Sequence, residues 1–578
     1  MKKYQSIVTT ILLTLFLLSC TKSELPKSAD LILFNGVVYT VNEQQPWAEA
    51  VAIKNGNIIA VGSTKEIQQW RGENTKQQDL TGKMLLPGFI DSHAHPVMGG
   101  AYVRSLSLDS FATPKHWFNQ ISDYAKQNPK MKVLFGYGFL ASAFGSQGPT
   151  SAMLDKIVDD RPVYLMDEGF HGAWANTEAM KLLGVNKETT DPEPGFSYYK
   201  RDQQGNPTGY LLEGTATAAI DKLDIITADS VAQGTSDVID IMNSFGITAV
   251  FDAGALDVDA LQLTVLDKIS KQGNMTIRMV ASHMIGTSEA AKDALAIAIQ
   301  KRAISKHDMY HINTLKIMND GTIEGKTAGM FEDYQGEPGN KGVNVFSQKQ
   351  MNTLISQASH ENMDVHIHAL GERAISETLN AIELVRSDAD HDSSSSRYTI
   401  CHIQVMTDDD IKRFAQLNVI AQSTPLWASY DEFGKAFVSD DQFNRYFRFN
   451  SLKEAGVKMS FGSDFPATGA GTLGMSPIFN MEIGRTRQTP DQENAPIQPG
   501  KNERIDIATL IKGYTLDGAY QLHMEDKIGS LEVGKKADFV VLDKNLFEVD
   551  KYEIHEVQVL QTILGGKTIY RQAESLAK

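Results

Sequence analysis

The chain has 578 residues, well beyond the roughly 100–200 of a single domain, so more than one folding unit is expected. Hydrophobic residues make up 42% and charged residues 22%, the balance of a soluble globular protein. The formal net charge of −16 argues against nucleic acid and anionic membrane surfaces as partners.

Lys2 and Lys3 precede an apolar run from Ile7 to Leu18, too short to span a bilayer comfortably and of the form of a secretory leader. The run ends Leu17-Leu18-Ser19-Cys20, which resembles the lipobox of bacterial lipoproteins. That resemblance implies that residues 1–19 are removed as a signal peptide and that Cys20 carries lipid, with a plain secretory signal as the alternative. Two or more acyl chains hold a protein stably, so the only membrane contact expected is this anchor. Thr21, in place of an aspartate, favours the outer membrane, with the protein facing the periplasm. Cys20 and Cys401 are the only cysteines. With Cys20 lipidated, Cys401 has no partner in the chain, and an exported protein must then rely on packing rather than disulfides.

Residues 20–29 are polar and form a tether. From 30 to 84 the chain is β-rich. Leu31-Ile32-Leu33-Phe34 and Val37-Val38-Tyr39 flank a turn at Asn35-Gly36, and a second hairpin turns at Asn55-Gly56. The end of the chain, 527–578, is β-rich again, so the two terminal segments are expected to form one sandwich. Between them, in residues 85–526, β-type runs alternate with helical stretches as in a parallel α/β fold. The first ends Phe89-Ile90-Asp91-Ser92-His93-Ala94-His95. Others follow at 246–252, 275–280, 312–319, 363–368, 397–402, 419–423 and 457–463. Eight such units predict a (β/α)8 TIM barrel, with functional groups at the C-terminal strand ends. The gap between the first two strands is too long for an ordinary loop, which makes 99–230 an insertion forming a subdomain over the barrel mouth.

Ionisable residues collect at the predicted strand ends. His93 and His95 alternate onto one face of the first strand and can grip one cation together. Lys316 lies inside the apolar fourth strand. His366 and His368 end the fifth, His402 the sixth, and Asp464 follows the eighth. A satisfied core histidine is the plain alternative at each position, but successive strand ends make it harder to hold. Cys401 alternates onto the face opposite His402 and reads as packing.

These motifs resemble the amidohydrolase superfamily of metal-dependent hydrolases, and within it the amidohydrolase 3 branch that includes N-substituted formamide deformylase-like enzymes. The motifs are Leu86-Pro87-Gly88-Phe89-Ile90-Asp91-Ser92-His93-Ala94-His95, Gly205-Asn206-Pro207-Thr208-Gly209-Tyr210-Leu211, Leu315-Lys316-Ile317 through Asp320-Gly321, His368-Ala369-Leu370-Gly371-Glu372-Arg373-Ala374, Gly462-Ser463-Asp464 and the segment Gly529 to Asp543. The resemblance implies a distorted (β/α)8 barrel with a composite β-sandwich built from both chain ends. It also implies metal ligands at His93, His95, Lys316, His368, His402 and Asp464. Lys316 would be carboxylated to bridge two metals, and Asp464 would bind metal and shuttle protons. Zn²⁺, one ion or two, suits the His and carboxylate donors, although iron or manganese would fit similar ligands. His366 shares a face with His368 and competes with it for the ligand role.

In the insertion, Gly169-Phe170-His171-Gly172-Ala173-Trp174-Ala175-Asn176 and Leu211-Leu212-Glu213-Gly214 resemble family stretches that line the pocket. This implies that His171 binds a substrate carbonyl oxygen, with a satisfied loop histidine as the plain alternative, that Glu213 contacts substrate, and that Phe170 and Trp174 supply apolar walls or simply core. The expected activity is hydrolysis of a small-molecule amide, N-substituted formamide or cyclic amide at a non-peptide C–N bond, with Asp464, His171 and Lys316 as catalytic groups. A dipeptidase or esterase on the same centre, or a non-catalytic binding lipoprotein, is the alternative.

Overall fold

The computed structural model describes residues 28–573 apart from 109–111, 224–225, 389–394, 432–433 and 499. The expected signal peptide, Cys20 and most of the tether lie outside the described residues. Among the described residues no helix is long and apolar enough to cross a membrane.

Eight parallel strands form a nearly closed barrel: β1 (Phe89–Ala94), β2 (Ile247–Asp252), β3 (Arg278–Ile285), β4 (Tyr310–Met318), β5 (Asp364–Ala369), β6 (Tyr398–His402), β7 (Ile420–Ser423) and β8 (Met459–Phe461). All eight expected strands are present. Most of their residues are buried on both faces, because side chains fill the barrel inside and helices cover it outside. The helix Glu372–Arg386 shows how the sequence specifies that cover. Ala374, Ile375, Thr378, Leu379, Ile382 and Val385 fall on one buried stripe, with Glu372 in the first turn and Arg386 in the last, complementing the helix dipole.

The apolar run before the two histidines reads as one strand but is two. Met84–Pro87 belongs to a terminal sheet, where it pairs with Phe539–Leu542, and β1 begins only after Gly88. Gly88 makes the crossing: its backbone N–H donates to the Asp538 carbonyl at 3.0 Å, and a β-carbon there would run into the Thr248 side chain. Both chain ends build the sandwich. Its four-stranded sheet is entirely N-terminal, whereas the six-stranded sheet joins Val37–Tyr39, Trp47–Ala48 and Met84–Pro87 to Phe539–Leu542, Val559–Leu564 and Lys567–Arg571. Leu33, Val51, Ile53, Leu85, Phe539 and Ile563 share its core. The turn at Asn55-Gly56 makes the expected hairpin. The one at Asn35-Gly36 does not: Leu31–Phe34 pairs in the first sheet and Val37–Tyr39 in the second, so this turn is a corner between sheets. A partly buried ion pair, Arg278 to Asp538 at 2.7 Å, ties β3 to the sandwich.

The insertion carries a six-stranded mixed sheet between Leu106 and Leu212, backed by the helix Pro114–Gln127. The helix Pro96–Tyr102 runs through the expected start of the insertion and packs against Ala228–Ser244. Close approach of Gly100 and Gly234, where a β-carbon on either would meet the other helix, brings the two together. These two helices therefore bracket the insertion and hold it at the barrel's C-terminal end. Substituting Gly88→Ala is expected to cost about 1–3 kcal/mol through overpacking against Thr248, read as a lower denaturation midpoint at unchanged m-value.

Candidate metal centre

The site is assembled where β1 meets β8. Asp91, wholly buried, accepts hydrogen bonds from the backbone N–H of His93 at 3.1 Å and of Ser463 at 3.0 Å, and from the Ser463 hydroxyl. Burial pushes its carboxyl up to about 7 against those hydrogen bonds. The backbone N–H of Asp464 donates to the His93 carbonyl at 2.7 Å, and that of His95 to the Phe465 carbonyl at 2.8 Å. These bonds fix Asp464 at φ +56°, a left-handed conformation that costs a non-glycine residue about 1–3 kcal/mol unless its surroundings hold it. The Asp464 carboxylate then lies 3.2 Å from both His93 Nε2 and His95 Nε2, and 3.8 Å from His402 Nδ1.

The ring nitrogens of His95 and His93 that face away from Asp464 are occupied. His95 Nδ1 lies 2.7 Å from the Gly254 carbonyl oxygen and donates to it. His93 Nδ1 lies 2.9 Å from His366 Nε2, and His366 stacks on Phe251 with ring centroids 4.6 Å apart. His93 Nε2 is buried without a hydrogen bond, an arrangement that buried polar atoms avoid unless something else meets them. Burial, reinforced by neighbouring positive charge, holds His93, His366, His368 and His402 well below the usual histidine range, so these imidazoles are neutral and their lone pairs are free for a cation. Burial acts to raise Asp464, but the His95 hydrogen bond and neighbouring positive charge, Lys316 included, outweigh it and keep the carboxyl low and ionised. Neutral imidazoles around a buried carboxylate make a donor set that fits a divalent metal ion.

His93, His95 and Asp464 present ligand atoms within 4.8 Å of one another, and so do His93, Cys401 and His402. His368 falls outside both groups. Its ring lies 4.4 Å from that of His402 and 5.5 Å from that of His171, while its Nε2 faces Asp320 at 3.6 Å. Lys316 is buried, and its Nζ donates to Cys401 Sγ at 3.0 Å. Cys401 thus points into the barrel rather than away from it. Simple alternation fails at this strand end because His402 and Ile403 take φ +72° and +45°, turning the chain so that adjacent side chains both reach the interior.

The insertion contributes His171 and Glu213. His171 Nδ1 is 2.7 Å from Glu213 Oε2, and Glu213 Oε1 accepts from the Thr327 hydroxyl at 3.0 Å. Burial alone would lower His171, but the charge and hydrogen bond of Glu213, with Asp167 and Asp464 behind them, lift it to about 9. His171 is therefore an imidazolium beside the neutral histidines. A cavity of about 200 Å³, bounded in part by Tyr198, Tyr210, Thr327 and Phe437, adjoins this pair through Thr327. Trp174 does not reach the site. It is fully buried in the insertion's own core against Phe139 and Phe144, its indole N–H donating to the Thr150 carbonyl. Phe170 packs on Tyr102 and Tyr137, also as core. The aromatic wall is Trp427 instead, its ring 5.5 Å from that of His402. It lies on the loop after β7, and no spacing rule in the sequence marked it. Asp320, also missed, accepts from the backbone N–H groups of Gly329, Leu370 and Gly371 and pins the loop after β4 to the end of β5; the Asp320-Gly321 pair after a strand was its only signal.

Set against known proteins, the model of the amidohydrolase family matches residues 76–570. The chain belongs to the amidohydrolase family. It is 29% identical over 438 residues to the exoenzymes regulatory protein AepA of Pectobacterium carotovorum subsp. carotovorum, covering 74% of this chain and 92% of that one. It is 27% identical over 569 residues to the N-substituted formamide deformylase of Arthrobacter pascens, covering 94% and 99%. Among solved structures, an uncharacterised metal-dependent hydrolase from Pyrococcus horikoshii OT3 superposes with a TM-score of 0.69 at 22% identity, covering 90% of this chain and 99% of that one; it shares the fold. Family membership makes the protein a hydrolase, and the histidine-rich cluster supports a divalent metal in it.

Replacing Glu213→Gln removes the charge that raises His171. Its imidazole titration, followed by NMR, is expected to fall from about 9 towards the ordinary histidine value near 6.5. An unmoved titration would mean that Glu213 does not set the charge of His171.

Proposed function

We propose that this amidohydrolase cleaves a non-peptide C–N bond, its substrate being an amide, an N-substituted formamide or a cyclic amide. The observation that carries the reading is the convergence of His93, His95 and His402 on the Asp464 carboxylate, beside the imidazolium of His171. The similarity to a relative named N-substituted formamide deformylase supports the bond class. His93, His95, His402 and Asp464 would hold the metal, with His368 and Lys316 at the margin of the same pocket; Zn²⁺ suits such donors. A bound divalent cation supplies Lewis acidity towards water and a carbonyl oxygen.

The chain's own groups do the rest. Asp464, ionised at neutral pH, accepts a proton on its carboxylate and returns it to the departing nitrogen. His171 has Nδ1 committed to Glu213, so its Nε2–H is the donor available to a substrate carbonyl oxygen, where developing negative charge strengthens the hydrogen bond. Glu213 holds that imidazole in position, and the insertion above it limits the entry of water. Trp427 offers an apolar face beside His402.

The double substitution His93→Ala with His95→Ala is expected to abolish both metal content, measured by elemental analysis, and hydrolysis of a panel of N-formyl amines, N-acyl amino acids and cyclic amides. Asp464→Asn should lower kcat by about 10²–10⁴. A double variant that keeps its metal and its hydrolysis would sink the proposal.

We also propose that the protein is an exported lipoprotein held at the outer membrane through Cys20, which places its substrate in the periplasm. The support is the Lys2-Lys3 start, the apolar run and Leu17-Leu18-Ser19-Cys20. Cys20→Ser should abolish labelling by radioactive palmitate and release the protein from the membrane fraction. Unlabelled wild-type protein would dispose of the anchor.

A further inference from the structure

We propose that the cavity of about 200 Å³ beside Thr327 is the subsite that receives the substituent of the substrate amide, and that it selects an uncharged ring carrying a hydrogen-bond acceptor over an alkyl chain or an ionised group. The inference rests on the C–N hydrolase reading given above and adds to it the class of substrate.

The cavity lies one residue layer from the metal pocket. Thr327 lines it and donates its hydroxyl to Glu213 Oε1 at 3.0 Å, and Glu213 Oε2 holds His171 Nδ1 at 2.7 Å. Gly321 fills the corner between them: its carbonyl oxygen lies 3.4 Å from His368 Nε2, and a β-carbon on it would collide with Thr327 and Glu213. Glu324 also lines the cavity and accepts a hydrogen bond from Gln404, two residues beyond His402. A substrate carbonyl held at His171 thus carries its substituent past Glu324 into this space. Three segments from the barrel's C-terminal end enclose it. The insertion supplies Tyr198 and Tyr210, the loop after β4 supplies Lys326 and Glu337, and the loop after β7 supplies Phe437. The backbone N–H of Gln335 donates to the Phe437 carbonyl at 2.9 Å and joins the two loops. Glu213 and Lys326 both hold left-handed backbone, at φ +53° and +57°, which in non-glycine residues clusters at active sites and ligand clamps.

The lining decides the chemistry. The volume exceeds the roughly 150 Å³ of a protein cavity that holds benzene, so one ring with a small substituent fits. Tyr198, Tyr210 and Phe437 supply aromatic faces, against which a ring packs offset or edge-on. The charged lining residues are two cations, Lys200 and Lys326, and two anions, Glu324 and Glu337. Lys326 is paired with Glu337 and lies over the Phe437 ring, 5.1 Å from its centroid. With no net charge in the lining to meet it, an ionised substituent is costly to bury. The Tyr198 and Tyr210 hydroxyls make no hydrogen bond among the described residues. Burial raises both phenols, so each remains an O–H donor. An acceptor on the substrate satisfies them, whereas an alkyl chain leaves them unmet.

The test assays zinc-loaded full-length protein against two matched series, formamides bearing one group on nitrogen and N-methyl amides bearing the same group on the carbonyl carbon. The groups are para-methoxybenzyl, para-ethylbenzyl, n-hexyl, carboxypropyl and aminobutyl. In one of the two series the para-methoxybenzyl member is expected to exceed the hexyl, carboxypropyl and aminobutyl members in kcat/KM by at least about tenfold. Ser142→Trp, which puts a ring into the cavity from its lining, should cut that preference by about tenfold at unchanged zinc content. Tyr198→Phe with Tyr210→Phe should lower the ratio of para-methoxybenzyl to para-ethylbenzyl turnover by about two- to tenfold. Equal kcat/KM for the ring and hexyl members, or a preference for an ionised member, would overturn the subsite while leaving the hydrolase standing. A ring preference that survives Ser142→Trp would place the ring elsewhere and overturn it as well. No hydrolysis of any member would overturn the C–N hydrolase reading and this one with it. The wild-type panel decides the substrate class even if a variant does not fold.

Discussion

The hydrogen bonds that join β1 to β8 are the constraint on which the rest of the site depends. Asp91 receives backbone N–H groups from both strand ends, and Asp464 donates its own backbone N–H to the His93 carbonyl. Closing the barrel and placing the carboxylate between two imidazoles are therefore one event. Parallel strands twist and coil, so the first and last of eight meet only if the whole sheet curls correctly. The residues with the most demanding chemistry sit at that meeting point, where the ends are held by main-chain bonds rather than by mobile side chains. The left-handed backbone at Asp464 is tolerated because these bonds hold it on both sides.

Burial then divides the ionisable groups into two kinds. Where a histidine is surrounded by apolar layers and other histidines, as at His93, His366, His368 and His402, the charged form is disfavoured and the ring stays neutral. Where a carboxylate lies within hydrogen-bond reach, as Glu213 does for His171, the charged form wins in spite of burial. One pocket thus holds lone-pair donors and a proton donor a few ångströms apart. The separation follows the domain organisation, for the neutral rings come from barrel strands and the imidazolium from the insertion. A fold of this kind can alter its substrate range through the insertion without disturbing the barrel's ligands.

Much of the barrel was legible in the sequence. Eight apolar runs separated by helical stretches, and histidines at their C-terminal ends, report periodicity and burial, which are local properties. The sandwich was legible as two β-rich ends, though the corner at Asn35-Gly36 was not. A short turn of these residues suits both a hairpin and a change of sheet, and only the positions of Ala50–Lys54 and Met84–Pro87 choose between them. Trp174 and Trp427 teach the same lesson. Each is an aromatic residue near functional residues in the sequence, and nothing local tells which one fills the insertion's core and which one stands beside His402.

The sequence by itself determined the fold class, the order of the strands, and the residue types offered at their ends, because alternation and apolar periodicity are written residue by residue. Only the tertiary structure decided that Cys401 faces Lys316, that His171 is charged through Glu213, and that His93, His95 and Asp464 share one point. Each of these is a contact between segments far apart in the chain, and the arrival of His402 on the same side as Cys401 also depends on a left-handed backbone at His402 that breaks the alternation on which a reading of the sequence relies.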